Sequence, residues 1–519
     1  MSTEPQPANA APPRLRRTRR SRRLRAPQIA LFVVLGILAA CLAGANLSQP
    51  PRVKAVEANG ELLVARTDQR VQIRLSQPVS TIASGAVTVT PKTPVEVTSD
   101  GGTVTVRFLS MLNTGTEYRI DARVRGTATG AVGSISATFA TPDTATYTLL
   151  RSEAGDRILE HHLQNATATR TAFEAARIQE YASTPSGLAV ITRDETGRAE
   201  LAIRGRQTGA AASSPAPDDS AEPFRIMTAD QLGQLRSEAA SGVVGVVASG
   251  TGDDRTLYDR ALLIIDPATA IVLTVADEAG AAVRVRDWRF VPGTTSLIYQ
   301  SPSGRLMGWE AAPEPRSFDP GLSGELLGFL PGTTTLAVST TTGVSLVDMS
   351  GVVSGTLDGP PPQAPLEADL SAPTLSPSIP AAHATPAALA LSADSTLNRL
   401  SNGPRETPEA PATIDLRSTG SPLHNGSLVT GGNVTVSEHG GESGAERTIF
   451  APASPNTRTG RVCLSPNAEF AAIETVSREG APDGRPVTPG FSHTTTTYVR
   501  VATGDTVRSV LGGLSDWCA

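Results

Sequence analysis

A chain of 519 residues with 39% hydrophobic content has room for two or three domains with real cores, which excludes a disordered or single-module protein. Aromatics make up only 4%, against 47 glycines and 40 prolines, and the apolar runs are short and rich in Thr and Val, so strands and turns are favoured over helices. The net charge of −5 hides an asymmetry: eight arginines, from Arg14 to Arg25, give the first segment about +7 and leave the remainder about −12.

An arginine cluster is compatible with a nucleic-acid arm, but the uncharged stretch directly after it argues for no nucleic acid. Residues 28–47, QIALFVVLGILAACLAGANL, carry no charge, and at about 1.5 Å per residue they are long enough to cross a bilayer core of about 30 Å. Arginines on the amino side hold that end in the cytoplasm. The expectation is a basic cytoplasmic tail (1–27), a single-span transmembrane signal anchor (28–47) and everything beyond it outside the cytoplasmic membrane. Two processing alternatives stay open. Leu38-Ala39-Ala40-Cys41 has the form of a lipobox, in which Cys41 would be lipidated, and Ala43-Gly44-Ala45 fits a signal-peptidase site.

Between residues 51 and 142, five segments alternate apolar and polar residues: Val71–Leu75, Ala86–Val89, Val104–Phe108, Tyr118–Ala122 and Ile135–Phe139. Period-two alternation means one buried and one wet face, as in a sandwich of about seven strands. Three stretches, SQPVSTIASGAVTVTP (Ser76–Pro91), NTGTEYRIDARV (Asn113–Val124) and SATFATP (Ser136–Pro142), make the segment resemble the bacterial Ig-like domains of S-layer and other surface proteins. That resemblance implies a spacer or adhesion module without catalytic residues.

Beyond residue 146 the chain repeats itself. FVPGTTSLIY at Phe290–Tyr299 returns as FLPGTTTLAV at Phe329–Val338, 39 residues later. That interval suits one propeller blade, a small antiparallel sheet that cannot bury both faces without a neighbour. Proline presets φ, glycine takes the strained turn position, and the next apolar residues begin a strand. Thr184–Ile191 and Ser465–Ile473 read as the same turn and then a strand, the latter resembling the SPDGxxLA element of WD-like and Tol-type propellers. The expected fold class is all-β: an N-terminal transmembrane helix, an Ig-like β-sandwich, then a β-propeller over 146–519 of about seven blades, with six or eight open. Proline-rich insertions are expected near 209–222, 359–382 and 402–411.

At the carboxyl end, Asp516-Trp517-Cys518 overlays Asp287-Trp288-Arg289, and Cys463 stands three residues before Pro466 as Arg289 does before Pro292. A final strand at 516–518 would then complete a blade with strands at 147–150, 157–160 and near Phe173, tying the ring's two ends together. A Cys463–Cys518 disulfide is expected there, in an oxidising compartment, with two buried thiols as the alternative.

Chemistry is sparse. The sequence lacks G-x-S-x-G, H-E-x-x-H, C-x-x-C and Walker motifs, so no catalytic, cofactor or metal residue is assigned. His161, His162, His383, His424, His439 and His493 are dispersed and read as surface residues, and Asp253, Asp254 and Asp259 as a solvated turn. Trp288 and Trp517 read as packing residues at equivalent repeat positions, with Trp309 left open. The expected function is a non-catalytic, membrane-tethered extracytoplasmic protein that binds a protein or cell-wall partner. Alternatives are an envelope hydrolase or lyase with an acidic site at the propeller channel, and an accessory subunit of a transporter or signalling complex.

Overall fold

The computed structural model describes residues 31, 33–38, 50–82, 84–127, 130–143, 145–164, 169–205, 223–238, 241–253, 255–311, 315–329, 334–340, 343–349, 351–357, 413–418, 421–422, 429–430, 434–439, 446–454, 457–467, 469–477, 479–485, 488 and 490–518. Among the described residues no helix is long and apolar enough to cross a membrane. The 1–27 tail, Cys41, most of 28–47 and the three proline-rich insertions lie outside them.

The first unit has seven strands: β1 (Val53–Glu57), β2 (Gln69–Leu75), β3 (Val87–Thr90), β4 (Val95–Asp100), β5 (Thr103–Phe108), β6 (Glu117–Arg125) and β7 (Val132–Ala140). They form two antiparallel sheets, ordered β1-β2-β5-β4 and β3-β6-β7. Alternation makes the sandwich: in β6, Tyr118, Ile120, Ala122 and Val124 point inward while Glu117, Arg119, Arg123 and Arg125 stay wet. Both inner faces close one core that includes Val71, Ile73, Val104, Val106, Phe108 and Ile135. A helix that the strand pattern does not announce, α1 (Gly60–Ala65), is capped by the Asn59 side chain and buries Leu63 and Val64 beneath it.

The second unit is a succession of small antiparallel sheets. β8 (Ala145–Leu150), β9 (Asp156–His162) and β10 (Arg170–Ala175) form the first. The second has seven strands: β11 (Ile178–Thr184), β12 (Gly187–Arg193), β13 (Ala199–Gly205), β14 (Phe224–Ser237), β15 (Val244–Gly252), β16 (Leu257–Asp266) and β17 (Ile271–Thr274). It is two repeat units fused through β14, whose first half pairs with β13 and whose second half pairs with β15. Two four-stranded sheets come next: β18 (Asp287–Phe290), β19 (Leu297–Gln300), β20 (Arg305–Glu310) and β21 (Arg316–Ser323), then β22 (Glu325–Phe329), β23 (Leu336–Thr340), β24 (Gly343–Val347) and β25 (Val353–Leu357). The 39-residue echo therefore joins the first and second strands of two consecutive four-stranded sheets, β18 to β19 and β22 to β23. The weaker copies do the same between β11 and β12 and before the strand at Phe470.

The remaining described strands are β26 (Thr413–Ser418), β27 (Ser421–Pro422), β28 (Val429–Thr430), β29 (Val434–His439), β30 (Glu446–Phe450), β31 (Arg458–Leu464), β32 (Phe470–Val476), β33 (Thr494–Arg500) and β34 (Thr506–Leu511). β26, β29 and β30 form one sheet, and β31 to β34 run in order in another that also takes in β27 and β28.

The sheets stack face to face, because each one's apolar surface needs a neighbour. Ile158, Phe173, Tyr181 and Val190 join the first sheet to β11 and β12. Val247, Leu262, Trp288 and Trp309 pack β15 and β16 against the next sheet, so Trp309 is a core residue. Ile298, Leu306, Leu326 and Val338 continue the series, and Leu163, Phe470, Tyr498 and Val510 pack the last sheet against the first. The protein is all-β and propeller-like.

The two ends of the second unit meet, though not through the strand expected at 516–518. Leu149 and Gly513 exchange backbone hydrogen bonds of 2.8 and 3.0 Å, and there the extended pairing stops. Asp516–Cys518 is a single 3₁₀ turn. The turn forms because the Asp516 carboxylate points inward, accepting Thr146 Oγ1 at 2.7 Å, the Tyr147 amide at 3.1 Å and Ser183 Oγ at 3.1 Å. Trp517 packs with Phe470 and Tyr498. Trp288, by contrast, lies fully buried on β18, so the two tryptophans share a packing role without a shared backbone conformation.

Candidate functional site

One end of the second unit concentrates its polar side chains. The segment between β32 and β33 leaves the last sheet and reaches across to the first two. Arg151, in the β8–β9 connection, forms a 2.6 Å ion pair with Asp483, with both side chains 7% exposed. The same guanidinium donates to Thr488 O at 2.7 Å and Gln179 O at 3.0 Å. Arg485 meets both carboxylate oxygens of fully buried Asp156 at 2.9 Å, while Asp156 also accepts the Ile178 amide at 2.8 Å. Thr488 Oγ1 donates to Glu180, whose other oxygen accepts the Leu235 amide, each at 2.8 Å. Removing one member of such a buried pair leaves an uncompensated charge, at a cost of about 3–5 kcal/mol. Sequence reasoning missed these residues, since each pair joins segments distant in the chain.

Beneath this strap lies a cleft of about 50 Å³, lined by Leu149–Arg151, Gly460, Arg461, Glu474, Asp483, His493, Thr494 and Gly512–Leu514. That volume holds a water or two. Pockets for small ligands begin at about 300 Å³, so the cleft is small by that measure.

The opposite end carries the sandwich. β31 runs from the cleft at Gly460 to Leu464, and β32 runs back from Phe470 to Glu474 at the cleft. The turn joining them, Ser465–Glu469, docks the sandwich loop 112–114. Glu469 Oε2 accepts the Thr114 amide at 2.8 Å and its hydroxyl at 3.2 Å, and Asn467 Nδ2 donates to Leu112 O at 3.0 Å. From the first sheet, Gln164 Nε2 donates to Thr114 O at 2.6 Å. Arg500 pairs with Glu469 from behind and lies over the Phe470 ring at 4.7 Å. Thus the SPNAEF stretch, legible as a turn, is also the seat of the first unit.

Cys463 is a buried residue of β31, the Cys518 backbone belongs to the terminal 3₁₀ turn, and the Cys518 side chain and all of Cys41 lie outside the described residues. His161 is not a surface residue: it is 1% exposed, held between Thr148 Oγ1 at 2.8 Å and Thr169 Oγ1 at 3.2 Å. His493 is exposed beside the cleft; His383, His424 and His439 have no described side chains. Asp253 caps Thr228 and Asp259 pairs with Arg284, so these two carboxylates serve separate partners; Asp254 lies outside the described residues. Among the described residues no cluster of three His, Cys, Asp or Glu side chains is placed to hold a metal. Two carboxyls are pushed above their usual range: Asp516 by burial, against its three hydrogen bonds, and Asp287 by burial, against the Arg236 charge.

No protein-family model matches the sequence, and no curated protein matches it. Among solved structures, the chain is similar to the dihydro-heme d1 dehydrogenase NirN in complex with DHE, at 14% identity and a TM-score of 0.36, over 71% of this chain and 74% of that one. It is also similar to the β-propeller domain of the Trilobed protease from Pyrococcus furiosus, at 9% identity and a TM-score of 0.36, over 76% and 95%. A third is Sqt1 from Chaetomium thermophilum bound to the N-terminus of the ribosomal protein L10, at 10% identity and a TM-score of 0.27, over 57% and 89%.

Proposed function

We propose that the chain is a non-catalytic, membrane-tethered extracytoplasmic binding protein. In this reading an Ig-like sandwich acts as a rigid spacer and holds a closed propeller of seven sheets by one end, so that the other end meets a protein or cell-wall partner. The observation that carries the proposal is the fixed joint: Glu469 and Asn467 commit one end of the β31–β32 hairpin to the sandwich, which leaves the far end of the same strands for presentation. A cleft of about 50 Å³ favours recognition by surface over enclosure of a small substrate.

The tether is the uncharged stretch 28–47 behind its arginines. Ring closure is supported by the Leu149–Gly513 pairing and by the shared core of the last and first sheets. A Cys463–Cys518 disulfide would lock the closure. The terminal turn packs against β31, the strand that carries Cys463.

Crosslinking in intact cells, with mass spectrometry of the membrane fraction under non-reducing conditions, tests the whole proposal. The expected result is a specific partner together with a linked peptide pair containing Cys463 and Cys518. Absence of any stable partner, with turnover of a wall-derived substrate by the purified chain, overturns it.

A further inference from the structure

At the same end as the strap, the edge between β16 and β18 gathers guanidinium groups. Arg260 Nε donates to Val285 O at 2.8 Å and Arg260 Nη2 to Arg286 O at 3.1 Å. Gln234 Nε2 donates to the same Arg286 carbonyl at 2.9 Å. Both supporting residues sit in the left-handed region, with φ of 52° each. Both also fall within breaks in the ladder register, between Gly233 and Arg236 of β14 and opposite Ala248–Gly250 of β15. Non-glycine residues adopt that conformation only where the surroundings impose it, and bulges re-aim side chains beside binding sites.

The effect is to pin the Arg286 backbone while leaving its guanidinium exposed, without an ion-pair partner among the described residues. The Arg260 guanidinium is bonded only to carbonyls, which do not neutralise it. Two carboxylates stand against the cluster. Asp287 is shared by Arg236 at 2.8 Å and Arg289 at 3.7 Å, and Asp259 pairs with Arg284 at 2.9 Å. The Asp259–Arg284 pair is more than half exposed on both sides, so an incoming acid can replace it at little cost. Five guanidiniums against two carboxylates leave the patch cationic.

The geometry points to a docking site for an acidic peptide segment of a protein partner, centred on Arg286 and Arg260. The planar guanidinium fork matches a carboxylate bidentately, so clustered Asp or Glu side chains fit better than a diffuse negative surface. Nucleic acid and glycan are disfavoured here because Trp288, Phe290, Tyr299 and Trp309 of this sheet are all buried, and Tyr258 of β16 is half-buried against the core of its own sheet, so bases or sugar rings find no open platform among them. The site rests on the binding-protein function proposed above, and names its face and the chemistry of its partner.

Fluorescence anisotropy of labelled oligoglutamate with the purified full-length chain tests the site, using oligoglutamine and a single-stranded oligonucleotide as comparison probes. Oligoglutamate should bind selectively, with affinity falling as salt rises from about 50 to about 200 mM. Arg286→Ala, whose side chain is exposed, should weaken binding about tenfold or more. Arg286→Lys should restore it only in part, and Arg123→Ala, an exposed arginine of the sandwich, should leave it unchanged. Unchanged affinity in Arg286→Ala, no oligoglutamate binding, or tighter oligonucleotide binding with the same Arg286 dependence would each overturn the site. A crosslinked partner retained by the Arg286→Ala chain in cells would remove the site and leave the binding function standing; no partner for the unmodified chain would remove the function itself.

Discussion

His161 shows how burial converts a titratable residue into a stability determinant. The Thr148 hydroxyl donates to Leu511 O at 3.1 Å, so its oxygen accepts from His161 Nε2, and Nδ1 accepts from Thr169, which itself receives Arg508 Nη2 at 3.3 Å. This chain of donors suits the neutral imidazole. Burial first, and the Arg508 charge second, pull its pKa from 6.5 down to about 4, against the opposing pull of Glu160. A folded-state pKa below the unfolded value means that the stabilisation is complete above pH 6.5 and drains away as pH falls towards about 4. Thermal melts across that window should therefore show a steep acid loss that His161→Gln largely flattens, while costing stability at pH 7. Parallel pH slopes for the two proteins would show that His161 is not the group responsible.

At the scale of elements, sheet-on-sheet contact depends on a glycine. Gly245 lies on β15, and a Cβ there would stand 2.2 Å from Trp288 Cη2 and 2.7 Å from Cζ2 of the next sheet. Trp288 is fully buried and cannot swing out. Gly245→Ala should cost about 1–3 kcal/mol in chemical denaturation, whereas Gly85→Ala, with open space around it, should be near neutral. Equal stability of both variants would mean that the two sheets slide apart easily. The same contact marks what the sequence discloses. Alternation in β2, β5, β6 and β7, and the PGTT turn after β18 whose letters return after β22, are local and legible. Gly245 facing Trp288, Asp483 facing Arg151 and Gln234 facing Arg286 depend on which sheets are neighbours and on bulges that shift register, neither of which leaves a local signal. Asp516-Trp517-Cys518 misled for a related reason: its likeness to the start of β18 is real in letters, but the partners of the Asp516 carboxylate, Thr146, Tyr147 and Ser183, turn the backbone into a 3₁₀ turn.

For the whole molecule, the consequential question is whether the sandwich and the stacked sheets of the second unit move as one. Under the proposed function, a flexible tether would let the presenting end wander, whereas a spacer must hold it at a set distance. The joint has the features of a spacer: a carboxylate 8% exposed, backed by Arg500, accepts two hydrogen bonds from Thr114, while Asn467 and Gln164 bracket the same loop from two different sheets. Hydrogen bonds to a charged acceptor contribute about 1.5–3 kcal/mol each, enough to hold one arrangement against thermal motion. Glu469→Ala should release the loop, and two readouts separate release from unfolding. Small-angle scattering should give a larger radius of gyration, and hydrogen exchange at the Thr114 amide should accelerate while exchange in β2 and β5 stays as slow as before. If neither the radius nor the Thr114 exchange changes, the carboxylate is not what fixes the two units, and the rigid spacer fails with it.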